Sequence, residues 1–151
     1  MRDCDFCNTT GGGIDERLIV YADGQTLAFL DTSPASPGHT LVIPRAHYAN
    51  LLDVSEEDAA AVMVSAARVA RLLQEALAPK GFTLLQANEV AGWQGIFHLH
   101  VHVIPRWDED ELQSPWWPQK ADRQELRRTA AEIRAISGAG DGVGLEAQAH
   151  T

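Results

Sequence analysis

The sequence predicts an α+β domain in which an antiparallel sheet of about five strands packs with one long helix and a shorter C-terminal helix. Short runs of β-branched and aromatic residues, separated by turn-forming residues, predict the strands. Apolar residues at helical spacing between residues 59 and 77 predict the long helix. The chain has 151 residues, 45% of them hydrophobic, which is enough for one domain with one packed core.

The strand runs occur at residues 17–21, 26–30, 40–43, 82–85 and 96–104. Asp23-Gly24, between the first two runs, is a strong hairpin signal because this dipeptide readily adopts the backbone angles of a tight turn. Prolines, serines and a glycine in residues 31–38 indicate a loop. We expect Pro44 and Pro105 to close the third and fifth strands, since proline lacks the N–H that a strand ladder uses.

The long helix is expected to begin after Ser55, because Ser55 and the acidic residues 56–58 resemble a capping box. Pro79 and Gly81 are expected to end it. Apolar residues on one face predict the second helix at 124–136.

These elements predict one domain rather than two. We expect a domain over residues 1–136, with its core at about 4–106 and a C-terminal extension at 107–136, followed by a disordered tail at 137–151. The tail is rich in glycine and alanine and has no periodic pattern.

The net charge of −9, from 21 acidic and 12 basic residues, disfavours a protein that coats nucleic acid. It does not exclude a small phosphate ligand, because a site can be locally positive. The N-terminus lacks the apolar segment of a signal peptide, and no run reaches the roughly 18 apolar residues of a membrane span. With only two cysteines as well, we expect a cytoplasmic protein with no membrane partner.

Three histidines alternate with apolar residues in the segment 98–102. Because side chains of a strand alternate between its faces, the imidazoles of His98, His100 and His102 should share one face, towards a cleft. The apolar residues between them should face the core. His39 and His47 form a second histidine stretch, and packing alone does not explain this clustering.

Such a row of imidazoles suits phosphoryl chemistry, since neutral imidazole is a good nucleophile and imidazolium stabilises phosphate charge. A metal cluster is an equally good interpretation of the spacing, because imidazole is also a common metal ligand. A solvated sheet face is the third interpretation.

The segment His98-Leu99-His100-Val101-His102-Val103-Ile104 resembles the motif of the histidine triad (HIT) family, in which three histidines alternate with apolar residues. Residues 27–31 and 37–44 are also similar to family segments and occur in the same order. The resemblance covers Cys4 to about Arg106 and is closest to Hint-like and bacterial HIT proteins. It implies a HIT-like sheet, a homodimer, and action on nucleoside phosphoramidates and related nucleotides.

The resemblance also implies residue roles. His100 aligns with the family's nucleophile, His102 with the third triad histidine that contacts the phosphate, and His39 with a histidine that approaches the same phosphate. For His39, a turn-capping role remains the alternative.

Further residues match positions that bind the nucleotide. Gln94 matches a glutamine near the phosphate chain, and Asn88 resembles an asparagine beside the site. Asp31 matches an acidic residue that holds the ribose hydroxyls, although an aspartate here can also simply form a turn. An apolar base pocket is expected from three residues that can equally belong to the core: Phe6, Ile14 and Leu30. Gly95 departs from the family, whose Hint-like members tend to have serine or threonine there.

Cys4-Asp5-Phe6-Cys7 is a Cys-x-x-Cys pair, compatible with a metal site or with redox chemistry. A thioredoxin-like role is disfavoured, because the pair precedes the first strand instead of following one. Some bacterial HIT proteins are similar and carry a structural zinc; carried over, the ligands are Cys4, Cys7, His47 and His98. Two free thiols beside a surface histidine are the alternative.

The leading hypothesis is therefore a nucleotide hydrolase or transferase that acts at an α-phosphate through a nucleotidyl-histidine intermediate, with zinc and no organic cofactor. Purine nucleoside phosphoramidates and dinucleoside polyphosphates are the candidate substrates. Gly95 and Trp93 motivate an alternative, a nucleotide-binding or interaction module with little turnover. A zinc-storage or zinc-sensing protein is a third hypothesis.

Overall fold

The computed structural model describes residues 4–7, 13–113 and 118–137. Its elements, in chain order, are β1 (Ile19–Ala22), β2 (Thr26–Leu30), β3 (Thr40–Pro44), α1 (Glu56–Leu77), β4 (Gly81–Leu85), β5 (Val101–Arg106) and α2 (Arg123–Ser137). Short 3₁₀ turns lie at Glu16–Leu18 and Val90–Gly92. The α+β prediction is confirmed.

The five strands form one sheet in the order β1-β2-β3-β5-β4, and every neighbouring pair is antiparallel. Asp23 shapes the predicted hairpin between β1 and β2, where its Oδ1 accepts hydrogen bonds from the Gln25 and Thr26 N–H groups. Ser55 caps α1 as predicted, since its hydroxyl accepts from the Asp58 N–H at 3.1 Å. α1 ends at Leu77, and Ala78 follows in a left-handed conformation.

The two faces of the sheet bury different sets of side chains. On one face, apolar residues of β2, β3 and β5 pack against α1; this cluster contains Ala28, Val42, Val101, Val103, Val62, Ala66, Val69 and Leu73. On the other face, Phe29, Leu41 and Ile43 pack with apolar residues of the N-terminal segment. The alternation along β2 and β3 therefore sends one set towards the helix and the other set towards the N-terminal segment.

Three predicted strand boundaries differ from the structure by two residues or more. β1 begins at Ile19 and not at residue 17, because Asp15 caps a 3₁₀ turn by accepting from the Arg17 N–H at 3.0 Å. β5 begins at Val101 and not at residue 96, because Pro44 has no N–H with which to extend the ladder between β3 and β5. The Leu99 N–H instead donates to the Tyr48 carbonyl at 2.7 Å. β5 also continues through Pro105 to Arg106.

The chain divides into two compact units, Met1–Leu112 and Gln113–Thr151. The first contains the whole sheet and α1. In the second, α2 carries the predicted helix with one extra residue at each end. The predicted tail beyond Ser137 lies outside the described residues, as do Trp116 and Trp117. None of the described helices combines the length and the apolar character that a membrane crossing requires.

Candidate active site and metal centre

A cavity of about 440 Å³ lies on the face of the sheet opposite α1, in the first unit. It brings together seven of the residues that the sequence singled out: Phe6, Ile14, Leu30, Asp31, Gly95, His100 and His102. Leu99 and Val101 line a groove beside α1 instead. The alternating pattern thus separates the triad segment into a helix-facing apolar side and a cavity-facing imidazole side.

His100 is held in one tautomer. Its Nδ1 lies 2.7 Å from the carbonyl oxygen of His98, and a carbonyl can only accept a hydrogen bond. Nδ1 therefore carries the proton, which leaves the lone pair of the neutral ring on Nε2. The His100 and His102 ring centroids lie 4.9 Å apart at 72°.

His102 is held in a complementary tautomer by His39. The Ala35 N–H donates to His39 Nδ1 at 3.0 Å, so the proton of neutral His39 must lie on Nε2. That Nε2 lies 2.9 Å from His102 Nδ1 and donates to it. Neutral His102 therefore carries its proton on Nε2. This geometry combines an imidazole lone pair, on His100, with an imidazole N–H donor, on His102.

Burial keeps these rings neutral. Desolvation, reinforced by the charge that His100 and His39 would carry when protonated, lowers the pKa of His102 to about 4. Burial also lowers the pKa of His39, although the nearby Asp31 carboxylate works against this shift. Both imidazoles are thus neutral at pH 7, as the hydrogen-bond assignment requires.

Asp31 follows β2 and lines the cavity. Its Oδ1 accepts from the Ser33 N–H at 2.8 Å, and its Oδ2 lies 3.7 Å from His39 Nδ1. The aspartate therefore forms a turn and also presents a carboxylate at the cavity.

Gln94 and Asn88 do not line the cavity. The buried Gln94 amide donates to the Ala49 and Ile96 carbonyls and accepts from the Glu89 N–H. Asn88 accepts from the Leu51 N–H at 2.8 Å. These hydrogen bonds join the loop between β3 and α1 to the loop between β4 and β5. The roles of Gln94 and Asn88 near a bound nucleotide stay predictions.

Several cavity residues were not singled out from the sequence: Asp5, Gly13, Asp15, Leu18, Phe29, Thr32, Leu41 and Ile96. The alternation of β2 and β3 could have identified Phe29 and Leu41, which lie next to the helix-facing Ala28 and Val42. For Asp5 the sequence contains only a weaker indication, which is its position between the two cysteines.

The four predicted metal ligands converge beside the cavity. One ligand atom from each of Cys4, Cys7, His47 and His98 lies within 4.8 Å of the others. His98 Nδ1 is 3.5 Å from Cys4 Sγ and 3.4 Å from Cys7 Sγ, and His47 Nδ1 is 3.4 Å from Cys7 Sγ. Tetrahedral zinc with bonds of ~2.3 Å to sulfur and ~2.0 Å to nitrogen places such atoms ~3.5 Å apart.

The protonation of His98 also suits a metal. Its Nε2 lies 2.9 Å from the Pro44 carbonyl and donates to it, so the Nδ1 lone pair faces the two sulfurs. Burial lowers the pKa of His98, which keeps this ring neutral, whereas burial and the neighbouring Cys4 raise the pKa of the Cys7 thiol. The donor set therefore can hold a metal ion and fits zinc, whose positive charge would stabilise the thiolates.

A profile of the HIT domain matches residues 14–109. Three relatives are similar to this chain, and two of them are named as enzymes. The protein hit of Bacillus subtilis is 35% identical over 80% of this chain and 82% of its own length. An adenylylsulfatase of Arabidopsis thaliana, HINT3, is 35% identical over 91% and 68%. An adenosine 5′-monophosphoramidase of Schizosaccharomyces pombe, hnt1, is 32% identical over 86% and 95%.

Solved structures agree with the fold. A HIT family protein from Bacillus anthracis superposes with a TM-score of 0.80 at 33% identity, over 89% of this chain and 96% of that one. A zinc-bound histidine triad family protein from Mycobacterium smegmatis gives a TM-score of 0.67 at 32% identity, over 89% and 97%. The sheet, the triad segment and these matches together establish that this chain belongs to the histidine triad (HIT) family.

Proposed function

We propose that the chain is a nucleotide hydrolase or transferase that acts at an α-phosphate, with His100 as the nucleophile. The observation that carries the proposal is the 2.7 Å contact between His100 Nδ1 and the His98 carbonyl, which leaves the lone pair on Nε2 in a ring that lines a nucleotide-sized cavity. The relatives named as an adenylylsulfatase and an adenosine 5′-monophosphoramidase support this reaction class.

In the first step, His100 Nε2 attacks the α-phosphorus. A bond from nitrogen to phosphorus forms, and the bond from phosphorus to the leaving nitrogen or oxygen breaks. The imidazole gains positive charge as it does so, and the Nδ1–H···O=C bond to His98 strengthens because its donor becomes charged.

In the second step, water attacks phosphorus and displaces His100 in its original neutral form. The amine that departs in the first step takes a proton from solvent, and the attacking water releases one to solvent in the second, so the protons balance over the cycle. A nucleoside phosphoramidate is thereby converted to a nucleoside monophosphate and an amine. His102 donates its Nε2–H to a phosphate oxygen, and His39 holds His102 in the tautomer that can do so.

The rest of the cavity suits a nucleoside. The Asp31 carboxylate can accept hydrogen bonds from ribose hydroxyls, and Phe6, Ile14 and Leu30 supply an apolar surface for a base. We assign the metal site to zinc in a structural role: bound there, zinc ties the N-terminal segment to the triad segment, and four protein ligands leave it no open position for catalysis.

We also propose a homodimer, as the resemblance implies. β4 is an edge strand of the sheet, and an apolar groove lies between it and α1, in which Met63 and Leu84 are 52% and 44% exposed. Light scattering on the purified protein tests this, with Met63→Glu expected to give monomers and Arg71→Glu, elsewhere on α1, serving as the control.

The central experiment compares wild type with His100→Gln on adenosine phosphoramidate and diadenosine tetraphosphate. Loss of turnover in the variant, with zinc retained, supports the nucleophile and separates the enzyme from a zinc-storage protein, because His100 is not a proposed ligand. A nucleotidyl adduct on His100, trapped by acid quench and located by mass spectrometry, identifies the bond directly. Equal turnover by both proteins would overturn the assignment.

A binding module with little turnover is the second candidate, and Gly95 favours it. The residue lines the cavity beside the imidazoles and provides no hydroxyl for a leaving group. Calorimetry distinguishes the two: tight binding of AMP or GMP, without hydrolysis of either substrate, supports the module.

A further inference from the structure

The segment Cys4–Cys7, which we name the metal turn, has two functional sides. Its first and last residues direct their sulfurs towards His47 and His98. Its middle residues, Asp5 and Phe6, line the substrate cavity. Four consecutive residues thus contribute to two sites, so a displacement of this segment would affect both.

The Phe6 ring contacts residues of both sites. Its ring lies edge-on to Phe29 at 5.3 Å, to His100 at 5.7 Å and to His98 at 5.8 Å, measured between ring centroids. Phe29 belongs to the sheet, His100 is the proposed nucleophile and His98 is a metal-ligand candidate. One aromatic ring therefore contacts the cavity wall, the reacting imidazole and the metal centre.

Few interactions hold the metal turn in place. Within the described residues, its backbone makes one hydrogen bond, from the Cys7 N–H to the Cys4 carbonyl at 3.0 Å, and this bond lies inside the turn. Among the described residues, its contacts outside the turn are those of the two sulfurs at the metal centre and the packing of the Phe6 ring. A metal ion bound to these sulfurs would fix the orientation of the metal turn, because metal–ligand bonds are directional.

We propose that Phe6 is a positioning residue through which the metal centre fixes the substrate cavity, so that metal and nucleotide bind cooperatively. The inference rests on the proposed function, and concerns how the same cavity is controlled. With metal bound, Phe6 is held against Phe29 and the base pocket is preformed. Without it, a nucleotide must order the metal turn as it binds, and this ordering lowers its affinity.

The coupling is reciprocal, because linked equilibria require it. If the metal raises nucleotide affinity by a given factor, the nucleotide raises metal affinity by the same factor. The effect of the metal on substrate turnover should appear mainly in KM. His100 is oriented by a backbone carbonyl, which a truncated Phe6 side chain leaves in place.

The test measures AMP binding by calorimetry to zinc-loaded protein and to protein stripped with a chelator. We expect about tenfold weaker AMP binding without zinc, within the usual range of coupling between sites. The reciprocal measurement follows zinc loss to a chelator with and without saturating AMP, and AMP should slow the loss and raise the chelator concentration required. This second measurement starts from the loaded protein, so it does not depend on folding of the metal-free form.

Variants test whether Phe6 transmits the coupling between the metal and the nucleotide. Phe6→Ala keeps all four ligands, so it should still bind zinc, but its AMP affinity should depend on zinc by less than about twofold, and its KM should rise with little change in kcat. Phe6→Tyr keeps a ring and should retain the coupling. Leu27→Ala truncates another member of the same apolar cluster, one that does not line the cavity, and should retain it too.

Two failures are distinguishable. Equal AMP affinity with and without zinc, or full zinc dependence in Phe6→Ala, overturns the coupling and leaves the proposed reaction intact. AMP that binds neither form, together with no turnover of either substrate, overturns the proposed function and the coupling with it.

Discussion

His39 Nε2 lies 2.9 Å from His102 Nδ1, and the two ring centroids are 5.1 Å apart. Because the Ala35 N–H occupies the other nitrogen of His39, this contact has only one direction: His39 donates and His102 accepts. His39 is 5% exposed and does not line the cavity. It contacts His102 without lining the cavity, and it determines which nitrogen of His102 presents a proton to a ligand.

Replacing His39 should therefore lower turnover more than substrate binding. In His39→Leu, His102 loses its donor, and the tautomer with the proton on Nδ1 becomes available. We expect kcat to fall by about 10- to 100-fold, the cost of one lost buried hydrogen bond, with KM within about threefold of wild type. Steady-state kinetics on adenosine phosphoramidate measure both constants.

His39→Asn provides the matched control, since its amide can still donate towards His102 and should restore part of kcat. A His39→Leu variant that raises KM at unchanged kcat would contradict the tautomer argument. That result would place His39 in direct contact with the bound phosphate.

The pKa of His102 predicts a loss of stability in acid. Its folded-state pKa of about 4 lies below the ordinary 6.5, so between these values the unfolded chain takes up a proton that the folded protein does not. The free energy of unfolding should fall as the pH is lowered from 6.5 to 4, by up to about 3 kcal/mol from this group, and should be unaffected by it above 6.5.

Urea unfolding of wild type and His102→Gln at pH 7.5 and pH 4.5 measures this contribution. Burial lowers the pKa values of His39 and His98 in the same direction, and these two residues remain in both proteins, so the comparison isolates His102. Wild type should lose more stability than the variant over this interval. Equal losses in the two proteins would mean that the His102 ring is more hydrated than its burial indicates.

Local signals were enough to predict most of the elements. Asp23-Gly24 and Ser55 act through hydrogen bonds to residues within three positions, so the turn and the helix start could be identified without knowledge of the rest of the chain. The alternation of imidazole and apolar residues in the triad segment likewise requires only a strand-like backbone. The resemblance to the HIT family then indicated how these elements are arranged in one sheet.

Long-range contacts limited the remaining predictions. The partners of Gln94 are one example, since its buried amide donates to the Ala49 carbonyl, 45 residues away, and no signal near residue 94 indicates that partner. The start of β5 was misplaced for the same reason, since Pro44 and Tyr48 decide where the ladder stops. Asp5 and Phe6 line the cavity beside two cysteines whose neighbours, His47 and His98, are distant in sequence, and no local pattern indicates this placement.

Gly95 offers a direct test of the leaving-group argument. A Cβ added to this glycine meets no heavy atom within 4 Å, so Gly95→Ser fits without displacing a neighbour. Its hydroxyl would enter the cavity beside His100, where it can donate to a departing amine or oxygen. We expect kcat on adenosine phosphoramidate to rise by about tenfold.

Gly92→Ser is the matched control, because that position is equally open but does not line the cavity. It should leave turnover unchanged. If Gly95→Ser and Gly92→Ser behave alike, the missing hydroxyl has no bearing on rate, and the identity of residue 95 no longer favours a binding module.

Gly38 lies immediately before His39, and its backbone constrains that histidine. Its φ of +81° is unfavourable for a residue with a side chain, and an added Cβ would lie 2.5 Å from Leu77 Cδ1 and 3.3 Å from Leu73 Cδ2. Leu77 is 43% exposed and can rotate away, whereas Leu73 is buried in the helix-facing cluster. The left-handed backbone therefore contributes more of the cost than the contact with Leu77, and Gly38→Ala should lower the free energy of unfolding by about 1–2 kcal/mol.

Gly24→Ala is the control, since that glycine has no positive φ in this range and an added Cβ there meets no heavy atom within 4 Å. Urea unfolding should give a stability within about 0.5 kcal/mol of wild type for this variant.

The strained backbone at residue 38 predicts a second effect: when alanine shifts the chain there, the bond from His39 to His102 weakens, and kcat falls together with stability. A Gly38→Ala protein as stable and as active as Gly24→Ala would show that the loop relaxes without moving His39, and the positioning role of this segment would then belong to the Ala35 contact alone.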